Sequence, residues 1–253
     1  MSNINTILSA LDNLTEKNSF EVYLPSLKRG VMFKPLTAGQ QHLLYLCVSD
    51  NVVYHSKFIF ITYDIIKENC LEQDLIDKLT VIDRIVILLA LRKDILTSNI
   101  LIESNGEQYL TNFNGSFDYA ASVVLPENKT IERKNIQIEL QVPLMLDQHG
   151  VEKELRVNSV NTLLPEDTIK DLIINESCKF IKEVYIDSEK INYSSFSYTD
   201  RLSIVSKLPA DFMYDIQDYA SEVNEIQTKL LSVKMEDGPE LNFDLTVDFF
   251  LDR

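Results

Sequence analysis

From Val81 to Leu96 the chain carries an almost continuous apolar surface, and Ile85 to Leu91 is its longest unbroken apolar run. That run is far too short to span a bilayer, which takes about 20 apolar residues. A helix apolar all round is buried, because every face seeks cover from water. Thr80 stands at the N-cap and Asp83 at N3, so the spacing predicts a central buried helix with the rest of the chain arranged around it.

A chain of 253 residues with 45% hydrophobic content can surround such a helix with a sizeable core, as one large α+β unit or two small ones. Six glycines and seven prolines leave no flexible linker, low-complexity tract or heptad array. Residues 1–14 lack a basic n-region and a continuous apolar h-region, so the expectation is a soluble chain made without a secretory signal or membrane segment. The net charge of −15 argues against a broad nucleic-acid-binding face, which needs basic residues to displace counterions. Acidity concentrates towards the end: Asp200 to Arg253 holds 12 acidic and 5 basic residues. That pattern fits a solvated surface or a face that meets a basic partner. Cys47, Cys70 and Cys178 have no paired spacing, as expected of free buried thiols in a reducing compartment.

The coarse reading is α+β: short β-hairpins combined with helices, in two halves with a weak correspondence between them, packed together. Ile4, Ile7, Leu8, Leu11 and Leu14 predict a short amphipathic helix over 1–14, which docks on its own core or waits for a partner. Residues 21–34 read as a hairpin whose turn runs from Pro25 to Gly30 and whose return strand Pro35 stops. Thr37 and Gln40 form a capping box for a helix to about Val48. Ser56 to Asn69 reads as a further helix, with Phe58 to Tyr63 also readable as a strand. Asn105-Gly106 between alternating apolar residues predicts a hairpin of Ile100–Glu103 with Gln108–Phe113.

Residues 114–135 read as an irregular connector between an N-terminal half (1–113) and a C-terminal half (136–253). In the second half, Ile136–Val142 and Glu154–Val157 predict a hairpin around Gly150, Pro165 opens a helix, and Phe180–Ile186 is a strand. Thr199 caps a helix to Lys207, and Pro209 starts another to about Val223. Leu230–Met235 and Leu241–Val247 close the chain as a hairpin around Asp237-Gly238-Pro239.

Motifs for chemistry are sparse. His42, His55 and His149 form no metal-ligating spacing, and no glycine-rich phosphate loop or nucleophile elbow is present. No cofactor or metal is expected. Asp215 with Asp218, and Glu222 with Glu225, share helical faces and could hold a divalent cation; a solvated acidic face gives the same pattern. Lys28-Arg29-Gly30 is a compact basic turn, either a grip for a phosphate or partner carboxylate or a hairpin tip that keeps a strand edge soluble.

The order of several segments resembles the baseplate hub family of T4-like phages, which includes a hub subunit and a hub assembly protein. Leu24-Pro25-Ser26, the Lys28 to Gly30 turn and Phe33-Lys34-Pro35-Leu36 leading into a helix resemble the family's opening. Leu79 to Arg92 is similar to its next helix, and Leu202 to Ile216 with Asp248-Phe249-Phe250 to its late helix pair and terminal aromatic signature. The resemblance implies a non-enzymatic structural or assembly role through protein–protein contacts. Pro25, Lys28, Gly30, Phe33, Lys34, Pro35, Phe249 and Phe250 are the candidate motif or interaction residues.

The implied partners are other tail and baseplate hub proteins, the tape measure protein included. The implied location is the host cytoplasm during assembly and the virion tail baseplate. Some members carry cysteine pairs in their two glycine-turn hairpins; here Glu103 to Tyr109 and Val233 to Leu241 hold none, which implies hairpins kept by packing and hydrogen bonds. Two other readings stay open: an enzyme with an acidic divalent-metal site, and a tail assembly chaperone that leaves before maturation.

Overall fold

The computed structural model describes residues 2–46, 54–104, 106–150, 173–234, 240–245 and 249–250. It is an α+β protein of helices and short antiparallel strand pairs. The chain forms two compact units, interleaved along the sequence. One comprises residues 1–76, 82–123 and 229–253, the other 77–81 and 124–228.

The first unit is built on the expected central helix. The first unit's helices are α1 (Ser2–Lys17), α2 (Ala38–Tyr45), α3 (Tyr54–Asn69), α4 (Val81–Ile95) and α5 (Asn114–Ser122). From Ile82 to Arg92 every residue of α4 except Arg84 is buried, as its all-round apolar surface requires. Against it lies the hairpin of β1 (Phe20–Leu24) and β2 (Arg29–Phe33), in which Val22 pairs with Val31 and Leu24 with Arg29. Alternation puts Val22, Leu24, Val31 and Phe33 inside.

A two-stranded hairpin is marginal alone. Here Phe33 bridges to Cys70, and the Lys34 N–H donates to the Asn69 carbonyl at 2.8 Å. The capping box forms as expected: the Gln40 N–H donates to Thr37 Oγ1 at 3.2 Å, and the Thr37 N–H to Gln40 Oε1 at 3.0 Å. Tyr54–Asn69 is helical throughout, which settles the strand alternative for Phe58 to Tyr63.

Strands β3 (Asn99–Ser104) and β4 (Glu107–Asn112) pair as the Asn-Gly signal predicts, with Gly106 at φ +79°. Residues 114–135, read as an irregular connector, instead carry α5 and then strand β5 (Lys129–Arg133) of the second unit. Asn112 Oδ1 accepts from the Asn114 N–H at 3.2 Å, and this side-chain turn launches α5. Strands β9 (Ser232–Lys234) and β10 (Glu240–Asn242) also belong to the first unit, pairing Lys234 with Glu240 as the closing hairpin. The turn at Asp237-Gly238-Pro239 lies outside the described residues.

The second unit holds a four-stranded antiparallel sheet, ordered β5, β6 (Ile136–Leu140), β7 (Ile181–Ile186), β8 (Glu189–Ile191). Ile131, Ile138, Leu140, Ile181 and Val184 are buried. Gly150, expected in a hairpin turn, instead ends a described helical stretch over residues 145–150 (α6), and β6 pairs with β5 and β7. Glu154–Val157 and Pro165 lie outside the described residues; 173–178 are helical (α7).

The cap of helix α8 (Tyr198–Val205) falls two residues before the expected Thr199, because Ser197 Oγ accepts from the Asp200 N–H, at 3.2 Å. Helix α9 (Ala210–Leu230) runs a further two turns beyond Val223 and buries Phe212, Ile216, Tyr219 and Val223 along one face. Tyr219 meets Phe180 edge-on at 6.2 Å.

Candidate functional site

Two of the segments that resemble the hub family, the opening turn and the late aromatic pair, meet α4 within the first unit. At its start, the carboxylate of the fully buried Asp83 accepts a 3.1 Å hydrogen bond from the backbone N–H of Ser26. That contact fixes the β1–β2 turn, in which the N–H groups of Leu27 and Lys28 both donate to the Leu24 carbonyl. Pro25, at the head of the turn, is buried.

Lys28 is exposed with φ +52°, a left-handed position that a side chain occupies at some cost. Gly30 lies opposite Tyr23 with the Glu21 side chain folded over it; a Cβ there would sit 2.1 Å from Glu21 Oε1 unless that exposed chain swung away. The neighbouring Arg29 grips Glu72 through two bonds of 3.1 and 2.6 Å, which raises the guanidinium pKa and lowers that of the carboxyl.

The Phe33-Lys34-Pro35 segment is clamped from α2 and α3. Buried Gln40 and Asn69 exchange amide hydrogen bonds of 2.9 and 3.2 Å, and Asn69 Nδ2 also reaches the Pro35 carbonyl at 3.5 Å. Phe33 is fully buried, and Lys34 pairs with Glu16 at 3.2 Å.

At the other end of α4, Arg92 is only 2% exposed. Its guanidinium donates from Nε to the Phe249 carbonyl and from Nη1 to the Thr97 carbonyl. It also lies over the rings of Phe249 and Phe113, at 4.8 and 5.6 Å from their centroids. Phe249 stacks on Phe243 at 5.7 Å, meets Phe113 at 5.6 Å and touches Phe250 edge-on at 5.2 Å; Phe250 reaches Phe58 at 6.2 Å. These rings and the closing hairpin are held by packing, with the Phe243 N–H donating to the Leu231 carbonyl at 2.9 Å.

Of the candidate motif residues, Pro25, Phe33, Phe249 and Phe250 are therefore spent inside the unit. Lys28 stands free at the surface, while Gly30, Lys34 and Pro35 are half-buried. The sequence reading passed over Arg92 as a contact residue. The available signal was a cation within an otherwise apolar helix, which has to find acceptors once the helix is buried.

The carboxylates read as a possible metal site do not converge. Asp215 accepts from Arg133 at 2.7 Å with Lys129 at 4.0 Å, Asp211 pairs with Arg133 at 3.3 Å, and Asp218 and Glu222 are exposed. No group of three or more metal-ligating side chains occurs among the described residues. Cys70 and Cys178 are buried free thiols; burial pushes the Cys178 thiol up to about 12. No helix among the described residues is long and apolar enough to cross a membrane.

Among the described residues, apolar surface is open to water on α1, on the β3–β4 hairpin and in a groove of the first unit. Ile4, Ile7, Leu8, Leu11 and Leu14 on α1 are between 52% and 66% exposed. Leu101 and Leu110 face each other across the β3–β4 hairpin, both exposed. A groove of about 560 Å³ runs between β1, α4 and α5, walled by Phe20, Val22, Val86, Ala90 and Phe117 with Lys93 at its rim.

A search of curated proteins and a search of solved structures find no match to the chain. The family model described as T4 bacteriophage base plate protein matches residues 16–250. That span takes in the turn at Pro25, the whole of α4 and the aromatic pair Phe249-Phe250, and the chain belongs to the T4 bacteriophage base plate protein family.

Proposed function

We propose that the protein is a non-enzymatic component of the baseplate hub, or a factor that assembles it, and that it acts by binding other tail proteins. Family membership supports a structural role in the phage baseplate. The observation that carries the finer reading is how the side chains are used. The hub-like motif residues frame α4 from within the first unit, while the α1 stripe and the Leu101–Leu110 pair leave apolar surface in water. Exposed apolar faces and unpaired hairpin edges are what helix-in-groove and strand-addition recognition require. The proposed partners are hub proteins and the tape measure protein, met in the host cytoplasm during assembly.

The test is affinity capture of the tagged protein from infected cells, paired with deletion of its gene. Recovery of hub proteins, with tails that fail to form a hub in the deletion, is the expected result. Hubs that form normally without the gene would overturn the proposal. Mass spectrometry of purified virions then separates a resident hub subunit from an assembly chaperone, which is missing from the finished particle.

A further inference from the structure

We propose that α1 is a self-association helix that joins three copies of this chain in a parallel bundle. The inference is independent of the hub reading, because α1 lies almost wholly before residue 16, where the family match begins.

Ile4, Ile7, Leu11 and Leu14 follow the alternating three- and four-residue steps of two heptads, with Ile4 and Leu11 at a and Ile7 and Leu14 at d. A two-stranded coiled coil favours a β-branched residue at a with leucine at d. Neither heptad has that combination: the first is Ile/Ile, which favours three strands, and the second Leu/Leu. Leu8, at e, widens the stripe beyond the narrow seam of a pair, and a third helix would cover it. All five side chains are more than half exposed, so the first unit does not use them itself.

Charge selects the occupant. The chain carries −15 overall, so most approaches between two copies are repulsive. Residues 2–15 contain a single charge, Asp12, at a b position away from the seam. The g positions hold Asn3, Ala10 and Lys17 and the e positions Leu8 and Thr15, so no like-charged pair faces across a parallel bundle of identical helices. Residues 2–15 thus combine an exposed apolar stripe with a nearly uncharged sequence, so identical copies can meet there without acidic repulsion. Two heptads nucleate poorly alone, so assembly should be concentration-dependent.

Sedimentation equilibrium on the full chain tests this. The expected mass rises with concentration towards three times the 29.1 kDa protomer. Leu11→Asp should hold it at one protomer, with thermal unfolding like that of the parent at dilutions where the parent is itself a single protomer, since Leu11 is exposed. Under mild oxidation, Leu14→Cys should give a disulfide-linked dimer on a denaturing gel at the concentrations that support assembly, and Asn13→Cys, off the seam, should give several-fold less. A chain that stays at 29.1 kDa throughout, a mass that settles at twice the protomer, or a Leu11→Asp variant that assembles like the parent would each overturn the proposal. So would a monomeric chain that instead binds a purified baseplate protein through α1.

Discussion

Arg92 on α4 donates a buried hydrogen bond to the backbone carbonyl of Phe249, 157 residues later in the chain. The same guanidinium satisfies Thr97 and lies against two aromatic rings, so one side chain closes the first unit. Arg92→Ala strips two carbonyls of a charged donor and opens a void among the rings. It should destabilise the first unit by about 3–5 kcal/mol. Arg92→Lys should recover only part of that loss, because an ammonium lacks the planar fork that serves both carbonyls. Urea unfolding followed by near-ultraviolet tyrosine signals would measure both.

The Asp83–Ser26 bond predicts a more local effect. Asp83→Ala leaves the Ser26 N–H without its acceptor and should cost about 1–3 kcal/mol. Hydrogen exchange of the amides from Ser26 to Arg29 should accelerate more than that of α3. Uniform acceleration across the unit would mean that Asp83 supports α4 instead of the turn.

Lys28 separates fold from recognition. Its left-handed backbone favours glycine, so Lys28→Gly should raise stability by up to about 1 kcal/mol, read as an increase in melting temperature. If the basic turn grips a partner carboxylate, the same variant binds tail proteins more weakly while being more stable. Unchanged capture of partners would assign the turn to solubility alone.

Two carboxyls of the second unit should respond to acid in opposite directions. Lys182, bonded at 2.7 Å, holds Glu139 below its ordinary value, so its stabilising contribution is present above the unfolded pKa of about 4.5 and is lost as pH falls through the lower folded value. Burial raises Asp147 despite the nearby Arg201, so its contribution is present below its unfolded pKa and is lost as pH rises through the folded value. Melting curves from pH 3 to 6 should show Glu139→Gln flattening the acid loss. Asp147→Asn should instead remove an opposing slope.

Burial raises the pKa of both Cys70 and Cys178. At neutral pH neither should be alkylated in the native protein, and both should label once it is unfolded. Peptide mass spectrometry after a short iodoacetamide pulse would distinguish the two states.

Elements with local signals were legible in the sequence. The Thr37–Gln40 box, the turn ending at Gly106 and the apolar circumference of α4 each announce themselves within a few residues. The sheet of the second unit was not, because β6 finds β7 across some forty residues and local pattern says nothing of that pairing. Its tightest turn hides as well: Asp187 and Ser188 take φ of +51° and +69° without a glycine to mark them. The cap of α8 was misplaced by two residues because Ser197 and Thr199 both offer hydroxyls; Ser197 wins with Asp200 three residues on, in capping-box register. At the candidate site, the motif residues were visible as letters. Whether each faces partner or core depends on Asp83 and Arg92, whose contacts are set by the fold as a whole.

The interleaving of the two units has a bearing on synthesis. Residues 124–228 emerge from the ribosome with nearly everything their own sheet and long helix require, and can fold at once. The first unit has to wait, because Arg92 on α4 needs the carbonyl and ring of Phe249, which follow 157 residues later. A chain halted before Phe243 would therefore lack the Phe243, Phe249 and Phe250 rings that pack beside Arg92 and Phe113, and would leave the apolar core of the first unit open to proteases.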